Sequence, residues 1–80
     1  VVEVKTTLKI DDVDYFIGKL ERFKQTFPVF AKKKVYGAVA FLKSQSNIRA
    51  YAEKKGLFVI KATGESSSIV NKQEFSPKAW

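Results

Sequence analysis

Cysteine and histidine, two residue types that carry much of enzyme chemistry, are absent from this sequence of 80 residues. Without cysteine there is no disulfide and no thiolate metal site. Without histidine there is no imidazole general base, no histidine-based triad and no imidazole ligand for zinc. Any catalysis must therefore use carboxylates, lysines, hydroxyls and a hard metal ion that prefers oxygen ligands.

Long apolar runs and an initiating methionine are also missing. No stretch approaches the roughly 20 apolar residues of a transmembrane helix, and no signal peptide is visible. We therefore expect no membrane partner and a cytoplasmic location. Because the sequence opens within a predicted strand and lacks an initiating methionine, we expect it to be a piece of a longer protein.

Basic charge and apolar side chains are both plentiful. The formal net charge is +7, which favours a polyanionic partner such as nucleic acid. With 45% hydrophobic and 14% aromatic residues, the chain has enough apolar surface for a packed core. We therefore expect residues 1–80 to form a single domain.

The first half of the chain has the pattern of a strand, a helix and a second strand. Residues 1–6 alternate and predict a strand. A helix is predicted from Asp11, as its N-cap, to Phe27, because Pro28 stops it. Residues 35–42 are apolar on both faces, which predicts a central strand covered on both sides.

The second half predicts a further helix and a hairpin. The helix spans residues 47–55 and is followed by Gly56, a natural residue for its C-terminal turn. Strands are predicted at residues 57–62 and 67–71, joined by a turn. The order β-α-β-α-β-β predicts an α/β fold. Its mixed sheet has about four strands, a parallel core pair with right-handed crossovers and a terminal antiparallel hairpin.

The opening strand places a carboxylate and an ammonium group on one face. Glu3 and Lys5 are two residues apart, about 6–7 Å along a strand, while Val2 and Val4 point the other way. A magnesium site needs one or two carboxylates, and an adjacent lysine can activate water or offset phosphate charge. The same pattern is produced by any strand with one polar face near solvent, and the second carboxylate is missing.

Four segments together resemble the C-terminal half of a bacterial branch of the PD-(D/E)xK nuclease superfamily, which includes restriction endonucleases and Holliday-junction resolvases. They are Glu3-Val4-Lys5-Thr6 and residues 19–24, 34–40 and 51–60. The resemblance implies a restriction-endonuclease-like fold in which Glu3 is the metal-binding carboxylate and Lys5 the motif lysine. It also implies that Mg²⁺ is the cofactor and that a metal-binding Asp lies on a preceding strand.

Other polar and aromatic residues have both functional and structural interpretations. Lys32, Lys33 and Lys34 can contact phosphates, or can simply form a solvated loop before a hydrophobic strand. Thr6 can support the site by hydrogen bonding, or can be an ordinary strand residue.

Other residues are interpreted structurally. Asp11, Asp12 and Asp14 complement the N-terminus of the first helix, Lys19 lies on its outer face, and Lys54 and Lys55 complement the C-terminus of the second helix. The aromatics are a core stripe of Phe16, Phe23 and Phe27, and two exposed tail residues, Phe75 and Trp80.

The leading functional interpretation is the core of a Mg²⁺-dependent nuclease that hydrolyses phosphodiesters of nucleic acid, most naturally DNA. As this 80-residue piece it is expected to be inactive. One alternative is a non-catalytic module of the same fold that binds nucleic acid by charge. Another is a protein-interaction or oligomerisation domain that forms a homodimer through the terminal hairpin edge.

Overall fold

The computed structural model describes all residues from Val1 to Trp80 and contains four strands, two α-helices and one short 3₁₀-helix. In chain order the elements are β1 (Val2–Leu8), α1 (Ile10–Thr26), the 3₁₀-helix (Pro28–Phe30), β2 (Ala38–Ser44), α2 (Ile48–Lys54), β3 (Phe58–Ala62) and β4 (Ser67–Ile69). The predicted β-α-β-α-β-β order is confirmed.

The four strands form one mixed sheet in the order β1-β2-β3-β4. β1 pairs with β2 and β2 with β3 in parallel, and β4 closes an antiparallel hairpin on β3. The parallel part therefore contains three strands. Because β1 and β4 are the outer strands, the free backbone edge of β1 is open to pairing with a further strand.

Both helices cover the same face of the sheet, as expected when successive right-handed crossovers step in one direction. Side chains of α1 and α2 share a single core cluster with alternate side chains of β2 and β3. The members of this cluster are Leu8, Val13, Phe16, Leu20, Val35, Val39, Phe41, Ile48, Ala52, Leu57 and Val59. We call this side of the sheet the helix-covered face.

The opposite side, which we call the open face, carries uncharged side chains and no helix. Val2 and Val4 of β1 and Leu42 of β2 are exposed there, as is Ile69 of β4, which pairs with Ile60. β2 is central, as predicted, but the prediction that it is covered on both sides holds only at its start, where Ala38 is buried, and fails at Leu42. Its small residues Ala38 and Ala40 lie on the open face between the larger side chains of β1 and β3.

The start of α1 also differs from the prediction. β1 continues to Leu8 and α1 begins at Ile10, so Lys9 and not Asp11 is the N-cap residue. The Asp12 carboxylate accepts a hydrogen bond from the Lys9 backbone N–H at 3.0 Å, as the side chain at the third helical position (N3) does in a capping box. Asp11 and Asp12 lie in the first turn, where their charges complement the helix dipole.

Gly37 lets the helix layer approach the sheet closely just before β2. A Cβ atom there would lie 2.5 Å from Leu20 Cδ1 and 2.9 Å from Leu57 Cδ2, so no larger residue fits without movement. Gly56 follows α2 with a φ of +86°, the left-handed conformation that suits glycine after a helix. The predicted C-terminal role of Gly56 is confirmed.

The C-terminal tail packs back onto the fold, contrary to the prediction that its aromatics are exposed. The Lys78 N–H donates to the Gly56 carbonyl at 3.0 Å, and the Trp80 N–H donates to the Val35 carbonyl at 2.7 Å. Phe75 meets the ring of Phe58 edge-on at 5.3 Å. These contacts leave both tail aromatics half-buried.

Candidate functional site

Glu3 and Lys5 share one face of β1, as predicted, and that face is the helix-covered one. Their register partners on β2 are Val39 and Phe41, both buried under the helices. The alternation is therefore the reverse of what core burial alone would produce. The charged side chains point toward the helix layer, while Val4 points to the open face and is 71% exposed.

Each of the two charged side chains is paired with a residue of α1. The Glu3 carboxylate lies 3.5 Å from the Lys19 ammonium, and the Lys5 ammonium lies 3.9 Å from the Asp12 carboxylate. The order is crossed because α1 runs back along β1 in the opposite direction. The side chain of Glu3 is only 23% exposed, which makes it the more enclosed of the two strand residues.

Sequence reasoning missed the roles of Lys19 and Asp12. Lys19 was assigned to the outer face of α1, and Asp12 was interpreted only as a charge at the helix N-terminus. Charge complementarity was the available signal. Along β1 the acid Glu3 precedes the base Lys5, and along α1 the acid Asp12 precedes the base Lys19. Because α1 runs antiparallel to β1, opposite charges meet. The four residues form two ion pairs between β1 and α1.

Thr6, the residue predicted to support the site, follows Lys5 in β1. Strand alternation directs its side chain away from the face that carries Glu3 and Lys5. Thr6 is exposed, and its side chain makes no hydrogen bond. The structure therefore does not bring Thr6 together with the charged pair.

The predicted phosphate-contacting lysines lie in the loop between the 3₁₀-helix and β2. Lys32, Lys33 and Lys34 are all exposed, and none of them forms an ion pair. The loop then joins the amino end of β1, where the Val1 amine donates to the Tyr36 carbonyl at 2.9 Å and the Ala38 N–H donates to the Val1 carbonyl at 2.9 Å. The lysine loop and Glu3 therefore belong to the same end of the sheet.

Exposed apolar side chains immediately precede these lysines. Phe27, predicted as core, is 49% exposed, Val29 is 79% exposed and Phe30 is 38% exposed. The prediction for Phe27 was wrong. Because α1 ends at Thr26, Phe27 no longer continues the helical stripe of apolar residues that packs on the sheet. We call residues 27–34 the aromatic–lysine tip. Phe30, one of its exposed aromatics, was not predicted from the sequence.

The acidic groups of the chain do not assemble into a complete metal site. No three side chains of Asp, Glu, His or Cys type lie close enough together to hold an ion. Glu3 therefore supplies one carboxylate, beside a lysine from the same strand. Magnesium sites use one or two carboxylates together with water and substrate oxygens, so Glu3 is part of a suitable donor set.

Comparison of the chain with models of protein families finds no matching family. Comparisons with curated proteins and with solved structures find no match either. Neither helix is long and apolar enough to cross a bilayer. The resemblance to the PD-(D/E)xK superfamily stays a prediction that depends on the segments given above.

Proposed function

We propose that the chain carries half of a Mg²⁺-dependent phosphodiesterase site of the PD-(D/E)xK type, in which Glu3 binds the metal and Lys5 acts on the substrate. The observation that carries the proposal is the reversed alternation of β1. A strand that turns its valines outward and its acid and base toward the helix layer is not explained by burial of apolar surface.

The chemistry follows from the positions of the two groups. A bound Mg²⁺ ion would polarise a phosphoryl oxygen and lower the pKa of a coordinated water. Glu3 would hold the ion through its carboxylate, which must first exchange the Lys19 ammonium for the metal. Lys5 would offset the negative charge that develops on the phosphate oxygens and position the attacking water.

The open edge of β1 supports the idea that the site is completed by a further strand. The superfamily resemblance implies a second carboxylate on a strand before the one that carries Glu3, and β1 has an unpaired edge beside it. We propose that residues encoded upstream of Val1 supply this strand and its Asp. The protein would then act on nucleic acid, most naturally DNA in the cytoplasm, with the lysine loop contacting phosphates.

Metal binding at Glu3 is tested by titrating Mn²⁺ into the polypeptide extended upstream of Val1 and following free Mn²⁺ by electron paramagnetic resonance. We expect saturable binding that Glu3→Gln abolishes. Glu65→Gln, in the β3–β4 turn, is the matched control because Glu65 is exposed and forms no ion pair. Equal loss of binding in both variants would show that Mn²⁺ binds by general charge, and the proposal would fail.

A second candidate, a protein-interaction or homodimerisation module, is favoured by the uncovered open face. Parallel sheets are almost always covered on both sides, whereas Val2, Val4, Leu42 and Ile69 are exposed here. This candidate predicts a concentration-dependent dimer in light scattering that Val4→Asp dissociates. A monomer mass at high concentration would remove the homodimer, including the one proposed through the hairpin edge.

A further inference from the structure

The aromatic–lysine tip is an exposed surface that the phosphodiesterase site does not use. Phe27 and Phe30 are packed against Phe23, with ring centroids 5.0 Å and 5.7 Å from it, so one side of each ring is anchored. The outer side of each ring remains accessible to solvent. Contiguous exposed apolar surface of this kind is one of the features that protein interaction sites share.

The backbone of the tip is held by a series of tight turns. The Phe30 N–H donates to Phe27, the Ala31 N–H to Pro28 and the Lys33 N–H to Phe30, each at 3.0 Å. The buried Val35 then anchors the loop to the core. The backbone positions of the rings and the lysines are therefore defined by these contacts, which reduces the backbone ordering needed on binding.

The charges of the tip are all of one sign. Lys32, Lys33 and Lys34 follow the aromatics directly, and the segment from Phe27 to Lys34 contains no acidic residue. All three ammonium groups are free of carboxylate partners. The surface thus combines apolar ring faces with a row of cations that are available to a polyanion.

We propose that the aromatic–lysine tip binds single-stranded nucleic acid, with unpaired bases stacked on Phe27 and Phe30 and phosphates contacted by Lys32, Lys33 and Lys34. Stacking needs bases with free faces, which a strand outside a duplex offers and an intact duplex does not. Because it names the substrate class, this inference rests on the proposed function: the strand to be cut would be single-stranded or locally unpaired.

The tip fits this ligand better than it fits an anionic lipid surface. The Phe27 and Phe30 rings are held against Phe23 and are 49% and 38% exposed, which leaves aromatic surface for stacking, and Val29 is the one large exposed aliphatic side chain between them. Insertion into a bilayer needs a larger apolar area, because a single small anchor gives marginal binding. Binding to anionic lipid vesicles is therefore the alternative that the experiment has to exclude.

The experiment measures binding of fluorescent dT20, rU20 and a 20-base-pair duplex to the 80-residue chain in EDTA, where no metal-dependent cleavage can occur. We expect one or both single strands to bind more tightly than the duplex. Phe27→Leu and Phe30→Leu keep the apolar contact with Phe23 but remove the ring faces. Each should weaken single-strand binding about fivefold or more, at the low end for stacking.

Matched variants separate stacking from a general loss of structure. Phe27→Tyr and Phe30→Tyr should retain single-strand binding because the ring remains. Tyr15→Leu, which removes a 65% exposed aromatic of α1, should have no effect. Replacing the three lysines by glutamine should reduce the salt slope for single strands by about two, at ~0.7 per phosphate contact.

Three results would overturn the inference: the duplex binds as tightly as the single strands, the leucine variants bind normally, or phosphatidylserine vesicles bind while oligonucleotides do not. Because strand binding is measured in EDTA, it does not depend on a metal ion at Glu3. Loss of the metal site alone would therefore leave this inference standing, and loss of strand binding alone would leave the metal site standing.

Discussion

The Glu3 carboxylate of β1 lies 3.5 Å from the Lys19 ammonium of α1, so the proposed metal ligand is held by a cation of its own chain. Both side chains are partly exposed, and such pairs contribute under about 1 kcal/mol to stability. Replacing Lys19 by methionine should therefore change the free energy of unfolding by less than about 1 kcal/mol. In the upstream-extended polypeptide it should strengthen Mn²⁺ binding, because the metal no longer competes with the ammonium group.

Urea unfolding followed by circular dichroism, together with the Mn²⁺ titration, checks both parts of this prediction. Lys24→Met, on the same helix, serves as the control because Lys24 forms no ion pair. Unchanged or weaker Mn²⁺ binding in Lys19→Met would show that the Lys19 ammonium does not occupy the metal position.

Tyr51 links the two helices by donating its hydroxyl hydrogen bond to the Asp14 carboxylate. This hydrogen bond raises the pKa of Tyr51 above its ordinary value of 10.0, and burial and the charges of Asp14 and Asp11 act in the same direction. Because the folded pKa is the higher one, the resulting stability is present below pH 10 and is lost as the pH rises through the folded pKa.

Chemical unfolding at pH 8 to 11 should therefore show a loss of stability above pH 10 that is smaller in Tyr51→Phe. Absorbance at 295 nm should show one fewer tyrosine titrating at high pH in the variant. A pH dependence identical in the two proteins would mean that the Tyr51–Asp14 bond contributes nothing to it.

Gly37 is the glycine with the tightest surroundings from core side chains. A methyl group there would contact the side chains of Leu20, Leu57 and Phe16, and all three are buried in the core. Overpacking of this kind costs about 1–3 kcal/mol, so Gly37→Ala should lower the free energy of unfolding by that amount. Gly64→Ala is the control because no atom lies within 4 Å of its added methyl group. Equal stability of the two variants would contradict this packing.

Binding to duplex DNA should follow from charge alone and should be weaker than binding to single strands. Three of the 15 lysines and arginines are paired with carboxylates, which leaves most cations free. Affinity for a labelled duplex should fall steeply between about 50 and 200 mM salt. Absence of duplex binding at about 50 mM salt would contradict duplex binding by charge, and absence of both duplex and single-strand binding would count against every nucleic-acid function of this chain.

The fold was predictable because its signals are local. The stripe of Val13, Phe16 and Leu20 has helical spacing, Pro28 ends the helix, and Gly56 marks the end of α2. The predicted boundaries of β1 and β2 differ from the observed ones by one to three residues. Residues such as Thr7 and Val35 have high strand propensity but do not reveal which backbone groups are paired.

The faces of the sheet were not predictable from apolar pattern alone. Ala38, Ala40 and Leu42 predict burial on the second face of β2, yet only Ala38 is buried there, Leu42 is 47% exposed, and no helix covers this face. The pairing of Glu3 with Lys19 depends on how α1 returns over β1. The contact of Trp80 with Val35 depends on the tail folding back onto the segment that precedes β2. Charge complementarity is compatible with the Glu3 pairing but does not fix it, and no local pattern in the sequence indicates where the tail packs.

The measurement that tests the central claim most directly is metal-dependent cleavage of labelled single-stranded and flapped DNA by the upstream-extended polypeptide. We expect cleavage with Mg²⁺ or Mn²⁺, none with EDTA, and none from the 80-residue chain alone, because one carboxylate holds the metal poorly. Glu3→Gln should abolish both cleavage and Mn²⁺ binding. Lys5→Ala should slow cleavage by about 10²-fold while Mn²⁺ binding is kept. The claim would be contradicted if the extended polypeptide bound DNA but cleaved it with neither metal. It would also be contradicted if the Glu3→Gln variant cleaved DNA as fast as the unsubstituted polypeptide.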